Sequence, residues 1–525
     1  MSPVLEVETY NLEYTSHRAA IRVLDDVSLS IEAGEVLGLV GESGSGKSSL
    51  AAAIMRLLPA NARESGGPIR LCGDDLRAMK SSQLRTIRGQ RIAMVFQDPS
   101  SALNPTLTLG RQVSEVMETH RGLDPAAART EAIALLRHVE IQDPQALFRR
   151  YPHEASGGEK QRVVIAAAFA CHPDLILLDE PTTALDVLTG ARILELFHRL
   201  RAEIGMAALY ISHDLALVSR VADRIAVIRS GQILEEQPAR KIFRNPRTSY
   251  TRLLAESAPR PDRRLTTDEA GPETLLAVEA LGVRYRRPGT FRRQATIGAQ
   301  DVSFCIRERE ILGVIGESGS GKSSVARALA GLIPFEGTIG FTNRPIASPK
   351  AMDHAYRRAV QIVFQNPDSS LNPRHYVREI LARPLRLFGG NVKEIPRLLE
   401  EVRLSPSHAR RYPHELSGGE KQRVAIARAF AAQPRLVICD EITAALDVSV
   451  QSSVIELLLS LRAAHDTAYL FITHDLNLVV EIAHRAAVMY RGRLVDLLPV
   501  EQLRGGEVHP YTKALIAASP PPIAA

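Results

Sequence analysis

The sequence predicts an α/β protein in which one kind of domain occurs twice in tandem. The chain has 525 residues, which is too long for one ordinary core and suits two domains of ~250 residues each. A glycine-rich stretch at residues 41–49 recurs letter for letter at 316–324. In each half, short apolar runs typical of buried strands alternate with helix-like runs, which is the pattern of an α/β sheet. We therefore expect a duplicated α/β domain.

The boundary between the two domains follows from the repeat. The segment 156–162 recurs at 417–423, so the two halves keep the same order of elements. Between residues 258 and 273 the sequence is rich in Pro, Arg and Asp and has no hydrophobic period, which indicates a linker. The predicted division is domain 1 over residues 1–258, a linker over 259–273 and domain 2 over 274–525.

One interval in each half departs from the strand–helix alternation. From residue 110 to 140, and again from 376 to 401, the apolar residues recur mostly with a helical period. This pattern predicts a small helical subdomain inserted into each α/β domain.

Composition limits the classes of function. Apolar residues make up 45% of the chain and charged residues 24%, as in a soluble globular protein. The longest apolar runs fall short of the ~20 residues that cross a bilayer, and the N-terminus has no secretory pattern, so we expect a cytoplasmic chain. The net charge of +6 does not indicate nucleic acid. The four cysteines are far apart, which predicts no disulfide, zinc site or iron–sulfur cluster.

An arginine-rich segment at residues 284–293 has two interpretations. A solvated loop is the ordinary one for a run of like charges. A contact with lipid phosphates or with a partner protein is the other.

The repeated glycine-rich stretch has the composition of a phosphate-binding loop. Each copy follows a strand-like run and leads into helix-like sequence, so backbone N–H groups and a helix N-terminus can surround phosphates. Lys47 and Lys322 are placed to reach the β- and γ-phosphates, and the hydroxyls of Ser48 and Ser323 suit Mg²⁺. The predicted ATP-binding residues of the two loops are Gly41, Glu42, Ser43, Gly44, Ser45, Gly46, Lys47, Ser48 and Ser49, and Gly316, Glu317, Ser318, Gly319, Ser320, Gly321, Lys322, Ser323 and Ser324.

Two carboxylates end an apolar strand-like run in each half. Parallel strands present the residues at their carboxyl ends to the ligand, so we expect these acids to meet the phosphates. Asp179 and Asp440 are predicted metal ligands. Glu180 and Glu441 are predicted general bases that polarise the attacking water.

Other polar or aromatic residues at strand ends complete the predicted site. Glutamine can ligate Mg²⁺ or hold water without adding charge, a histidine can donate to the γ-phosphate, and a tyrosine can stack on adenine. A polar strand end, a hydrogen-bonded histidine and a core tyrosine are the corresponding structural alternatives. The residues are Gln97 and Gln365 (catalysis and metal), His213 and His474 (catalysis), and Tyr14 and Tyr285 (adenine).

A serine and two glycines precede helix-forming sequence in each half and make a second anion site. One domain has no second phosphate for this element to hold. We therefore expect it to reach the nucleotide of the other domain across a face-to-face pair. These residues are Ser156, Gly157 and Gly158, and Ser417, Gly418 and Gly419.

This set of motifs, in order and in both halves, resembles the ATP-binding cassette (ABC) ATPases. The resemblance implies two tandem P-loop domains, each with a RecA-like α/β core, an antiparallel β part and an inserted helical subdomain. It also implies ATP and Mg²⁺ as cofactors, and two shared sites in a head-to-tail pair. The signature motifs then start at Ala155 and Leu416, and the D-loops lie at Asp186 and Asp447.

A narrower resemblance is to the ATPases of bacterial peptide, opine and nickel importers. It rests on the segments 98–105 and 366–373, on Arg-Tyr-Pro-His-Glu at 150–154 and 411–415, and on the Tyr-Thr tails at the end of each half. It implies an ATPase on the cytoplasmic face of the inner membrane, working with two permease subunits and an extracytoplasmic solute-binding protein. One chain would supply both ATPase domains.

Three differences between matched positions of the two halves bear on whether both sites are competent, and an alternative function remains. Ala155 matches Leu416, Ala167 matches Arg428, and Pro181 matches Ile442. None of these is expected to contact phosphate, metal or water, so we predict two competent sites, of equal or unequal rate. A soluble tandem ABC ATPase acting on ribosomes is the alternative; its relatives have a long charged helical linker, which the short linker here does not match. A DNA-repair ATPase would need a long coiled coil, and no heptad run occurs.

Overall fold

A computed structural model describes residues 3–15, 20–182, 185–260, 262–286, 295–443 and 446–519. The chain divides into two compact units that meet in sequence between Ala258 and Pro259. Most of the arginine-rich segment, residues 287–294, lies outside the described residues, so neither interpretation of it is tested.

Unit 1 combines a central sheet, an antiparallel sheet and helices. Its strands are β1 (Leu5–Thr15), β2 (Ala20–Ile31), β3 (Val36–Val40), β4 (Ala62–Gly66), β5 (Ile69–Leu71), β6 (Asp74–Asp75), β7 (Ile92–Val95), β8 (Leu175–Asp179), β9 (Ala207–Ser212), β10 (Arg224–Arg229) and β11 (Gln232–Pro238). Its helices are α1 (Lys47–Ile54), α2 (Ser81–Ile87), α3 (Pro99–Ala102), α4 (Leu109–Arg121), α5 (Pro125–His138), α6 (Pro144–Arg149), α7 (Gly157–Phe169), α8 (Val187–Ile204), α9 (Leu215–Val221), α10 (Ala239–Ile242) and α11 (Ser249–Ser257).

The central sheet of unit 1 has the strand order β11-β10-β3-β9-β8-β7 and is parallel except for β11. Strands β3, β8 and β9 are buried along their whole length, as expected for parallel strands covered on both faces. Successive residues therefore enter different cores: Leu177 packs with the antiparallel sheet, and Leu178 packs with the helices. The loops after these strands lie at one edge of the sheet.

Unit 2 repeats this arrangement. Its strands are β12 (Thr274–Arg286), β13 (Ala295–Arg307), β14 (Ile311–Ile315), β15 (Glu336–Phe341), β16 (Arg344–Ile346), β17 (Val360–Val363), β18 (Leu436–Asp440), β19 (Ala468–Ile472), β20 (Arg485–Tyr490) and β21 (Arg493–Pro499). Its helices are α12 (Lys322–Leu329), α13 (His354–Ala359), α14 (Pro367–Ser370), α15 (Val377–Leu387), α16 (Ile395–Glu401), α17 (Gly418–Phe430), α18 (Val448–His465), α19 (Leu476–Ile482) and α20 (Pro510–Ala518). The central sheet has the order β17-β18-β19-β14-β20-β21, and only its edge pair β20–β21 is antiparallel.

The predicted fold class is confirmed in both units. Each has an α/β core, an antiparallel sheet (β2-β1-β5-β6 with β4 on β1, and β13-β12-β15-β16) and an inserted group of helices. The insertion comprises α4, α5 and α6 in unit 1, and α15 and α16 in unit 2. Helix α6 lies beyond the interval whose period predicted the insertion.

Part of the predicted linker is held against unit 2. The Leu265 N–H donates to the Glu481 carbonyl at 2.9 Å, and the Thr266 hydroxyl donates to the Ile482 carbonyl at 2.7 Å. Asp268 forms an ion pair with the buried guanidinium of Arg462 at 2.8 Å. A backbone N–H, a hydroxyl and an ion pair make these contacts, so the hydrophobic pattern of the sequence does not predict them.

Candidate functional site

The phosphate loop of unit 1 connects the buried strand β3 to helix α1. Gly46, the residue before α1, has φ 103, and a Cβ there would lie 2.8 Å from the Val23 carbonyl oxygen. Only glycine fits this position. The Lys47 ammonium is buried and donates to the carbonyl oxygens of Gly41 at 2.7 Å and Glu42 at 2.8 Å. The loop therefore holds its lysine close to the helix N-terminus, where phosphate is bound in such loops.

A serine and an aspartate form a hydrogen-bonded pair in each unit. The Ser48 hydroxyl donates to Asp179 Oδ1 at 3.2 Å, and the Ser323 hydroxyl donates to Asp440 Oδ1 at 2.9 Å. Burial raises the pKa of both aspartates, because it disfavours the charged form. A divalent cation would favour that form again, and hydroxyl and carboxylate oxygens are ligands that Mg²⁺ prefers. The residues present fit this metal.

Three predicted catalytic side chains come together in unit 1. Gln97 Nε2 donates to Glu180 Oε2 at 2.9 Å, and His213 Nδ1 lies 3.0 Å from Glu180 Oε1. Glu180 has φ 47, while its N–H remains bonded to the Ile211 carbonyl at 2.9 Å. A positive φ in a non-glycine residue is uncommon and clusters at functional sites. Residues that follow three neighbouring strands thus fix one carboxylate.

The site in unit 2 has the same members with one different contact. Lys322 Nζ donates to the carbonyls of Gly316 at 2.7 Å and Glu317 at 2.8 Å. Gln365 Nε2 donates to Glu441 Oε2 at 3.0 Å, and the other oxygen of Glu441 lies 3.8 Å from Lys322 Nζ. Within the described part of the chain, no hydrogen bond joins His474 to this glutamate. The glutamate of unit 2 is thus fixed by glutamine and lysine.

The two predicted adenine-stacking tyrosines lie beside the start of the loop helices. The Tyr14 hydroxyl donates to Ser49 Oγ at 3.4 Å, and the Tyr285 hydroxyl lies 3.1 Å from Ser324 Oγ. Tyr285 is 36% exposed, which leaves ring surface open to a ligand.

The predicted second anion site forms the N-terminus of a helix in each unit. Ser156 caps α7 and Ser417 caps α17: each hydroxyl accepts the N–H of the glutamate three residues later at 3.3 Å. The serine and the first glycine are exposed in both units. The hydroxyls and N–H groups are therefore accessible from outside their own unit.

Sequence reasoning missed one contact to each phosphate loop. The Glu42 N–H donates to the Tyr250 hydroxyl at 3.1 Å, and the Glu317 N–H donates to the Tyr511 hydroxyl at 2.7 Å. Both tyrosines belong to the repeated tails of the two halves. The repetition of this tyrosine in both tails indicated that it has a shared role, but it did not indicate a contact with the phosphate loop.

Comparison with known proteins agrees with this geometry. Residues 24–183 and 299–444 match the family described as ABC transporter. The chain belongs to this family. As an ABC ATP-binding protein it binds and hydrolyses ATP. Residues 234–286 also match the family described as oligopeptide/dipeptide transporter, C-terminal region, a region that includes the tail of unit 1.

Similar proteins align over nearly the whole ABC chain. An uncharacterized ABC transporter ATP-binding protein YejF of Escherichia coli is 41% identical, over 98% of this chain and 99% of that protein. The peptidoglycan transport ATP-binding protein YejF of Agrobacterium fabrum is 40% identical, over 98% and 96%. The glutathione import ATP-binding protein GsiA of Salmonella paratyphi A is 39% identical, over 98% and 89%. Among the described residues, no helix is long and apolar enough to cross a membrane.

Proposed function

We propose that the chain is the ATPase subunit of a bacterial importer for peptides or a related small solute. The match of residues 234–286 to the oligopeptide/dipeptide transporter region carries this proposal. The relatives support it, because one is described as a glutathione importer subunit and glutathione is itself a short peptide. The same match favours a transporter over a soluble ATPase acting on ribosomes. Domain boundaries at residues 258/259 and 273/274 are part of the proposal.

Each ATP site is proposed to use both halves. The exposed serine and glycines at the start of α7 and α17 support this, because each unit already has its own phosphate loop. A γ-phosphate held between the halves would draw them together, and its removal would release them. One site is Lys47, Ser48, Gln97, Asp179, Glu180 and His213 with Ser417, Gly418 and Gly419. The other is Lys322, Ser323, Gln365, Asp440, Glu441 and His474 with Ser156, Gly157 and Gly158.

The proposed chemistry is in-line attack of water on the γ-phosphate. Glu180, fixed by Gln97 and His213, is placed to accept a hydrogen bond from the attacking water and so to polarise it. The lysine ammonium offsets charge on the phosphates. Ser48, Asp179 and Gln97 would hold Mg²⁺, which would supply positive charge to offset that of the phosphates. In unit 2 the roles of these residues pass to their counterparts.

The permease is proposed to dock on the helical insertion. A cavity of about 420 Å³ lies there, bordered by the segment before α4 and by helices α4, α5 and α6. It is lined mainly by Thr106, Leu107, Thr108, Arg111, Phe148 and Tyr151. A short helix of a membrane subunit would fit a groove of this size. This docking would hold the chain at the cytoplasmic face of the inner membrane.

A pull-down in mild detergent from native membranes tests the proposal. We expect the tagged chain to retain two polytopic permeases and an extracytoplasmic solute-binding protein, whose ligand then identifies the cargo. Leu107→Arg places a charge in the groove and should release the permeases. Leu57→Arg, at an exposed position of the same unit (47% exposed), is the control and should retain them. Ribosomal proteins without membrane partners would overturn the proposal.

A further inference from the structure

Each unit closes with a helix whose second residue is a buried tyrosine. Tyr250 of α11 is 3% exposed and Tyr511 of α20 is 7% exposed. Each hydroxyl accepts a hydrogen bond from the backbone N–H of the second residue of the phosphate loop, at 3.1 Å and 2.7 Å. The contact spans 208 positions in unit 1 and 194 in unit 2. It joins the end of each unit to its nucleotide site.

In unit 1 the tyrosine is placed by contacts that do not involve the loop. The Glu235 carboxylate of β11 accepts the N–H groups of Arg247 at 2.8 Å and Thr248 at 3.0 Å, which fixes the start of the tail helix. The Arg229 guanidinium lies 4.6 Å from the centre of the Tyr250 ring. The last strand and the tail helix therefore set the position of the hydroxyl.

In unit 2 different residues produce the same placement. The Asp496 carboxylate of β21 accepts the His509 N–H at 3.0 Å. The Tyr511 ring stacks on Tyr490, with 4.2 Å between ring centres. Asp496 thus takes the role of Glu235, and the Tyr490 ring takes that of the Arg229 guanidinium. Two different sets of contacts therefore bring a tyrosine hydroxyl to the same position on the phosphate loop.

The loop residue that meets the tyrosine is held on its other side by the loop lysine. In unit 1 the Glu42 carbonyl accepts a hydrogen bond from Lys47 at 2.8 Å, and in unit 2 the Glu317 carbonyl accepts one from Lys322 at 2.8 Å. A glycine-rich loop has much conformational entropy to lose when it orders around phosphates. A fixed acceptor for one of its N–H groups removes part of that freedom before ATP arrives.

We propose that Tyr250 and Tyr511 are positioning residues for ATP binding. Each holds the first turn of its phosphate loop so that the lysine and the remaining N–H groups are ordered for phosphate. Each hydroxyl would act through the loop backbone and not on the reacting atoms. The proposal rests on the ATP-binding activity of the family and is independent of the cargo or the permease.

Substitution by phenylalanine tests this, because it removes only the hydroxyl and keeps the buried ring. We expect Tyr250→Phe and Tyr511→Phe, singly and together, to weaken binding of a non-hydrolysable ATP analogue with Mg²⁺ by about three- to tenfold at the altered site, the worth of one hydrogen bond. Amide exchange at Glu42 or Glu317 should accelerate in the ligand-free chain.

Tyr10→Phe is the matched control. Tyr10 is buried, and its hydroxyl donates to Glu64 at 2.6 Å on β4, so its loss should lower thermal stability without changing the affinity for the analogue. Unchanged affinity in both tail variants, or equal weakening by Tyr10→Phe, would overturn the proposal. Faster amide exchange with weaker binding in the tail variants alone would support it.

Discussion

Gly38→Ala is expected to lower the stability of unit 1 and to displace His213, its proposed catalytic histidine. Gly38 is the middle residue of β3, where helix α9 crosses the sheet. A Cβ added there would lie 2.2 Å from Val218 Cγ1 and 3.1 Å from Ala222 Cβ, both on or at the end of α9. Neither atom is the end of a long flexible side chain, so the helix itself must move away from the sheet.

The size of the effect follows from overpacking. Inserting a methyl group into a packed core costs about 1–3 kcal/mol, which corresponds to a fall in Tm of about 2–12 °C for a domain of this size. Helix α9 begins two residues after His213. Its displacement should lengthen the contact between His213 and Glu180 and lower kcat by about tenfold or more.

A double-mutant cycle with Val218→Ala tests the argument. Removing Val218 Cγ1 takes away the closest contact, although the single substitution is itself destabilising by about 1–3 kcal/mol. The double variant should therefore be more stable than the sum of the single effects by at least about 1 kcal/mol, and should recover ATPase activity. Thermal unfolding and steady-state ATPase assays give both quantities.

Two results would refute the reasoning. Strict additivity in the cycle would show that the methyl group does not meet Val218. A normal Tm with a low kcat would show that the histidine is lost for another reason. Gly313→Ala in unit 2, where a Cβ would lie 2.5 Å from Val479 Cγ1, should reproduce the loss of stability.

Three further predictions concern separate parts of the chain. Glu180→Gln and Glu441→Gln should each lower ATPase activity and together lower it by about 100-fold or more; a substitution without effect would identify an inert site. Arg428→Ala should destabilise unit 2 by about 1–3 kcal/mol in denaturant unfolding, because the half-buried guanidinium donates to the Ser370 carbonyl, and unit 1, with alanine at this position, has no such bond to lose. Burial raises the pKa of Glu481 from 4.5 to about 7, so its contribution to stability should be lost as pH rises through about 7. In the Glu481→Gln variant, Tm should fall less between pH 5 and 8 than it does in the unsubstituted chain. The same dependence of Tm on pH in both proteins would contradict this. The charged groups near Glu481 are Arg263, Asp475 and Asp262.

The sequence by itself determined the kind of protein and singled out the residues proposed to contact the nucleotide. Phosphate, metal and water constrain residue type so strongly that Lys47, Asp179 and Glu180 were recognisable from their neighbours in sequence. The exact repeat then assigned the same roles in the second half. The helical spacing of the apolar residues also predicted where the helical insertion lies, because helices of this length bury one face.

Only the tertiary structure decided how these residues are supported. The hydroxyl of Tyr250 reaches the loop from the far end of unit 1, and no local pattern encodes a contact over that separation. The linker segment at Leu265 is held by a hydrogen bond from its backbone N–H to the Glu481 carbonyl, and such bonds are not tied to residue type. The periodicity of the sequence indicates which face of a helix or strand is apolar, but it does not indicate which other element packs against that face. The residue types of the proposed site were therefore predictable from the sequence, whereas the contacts that position them are known only from the fold.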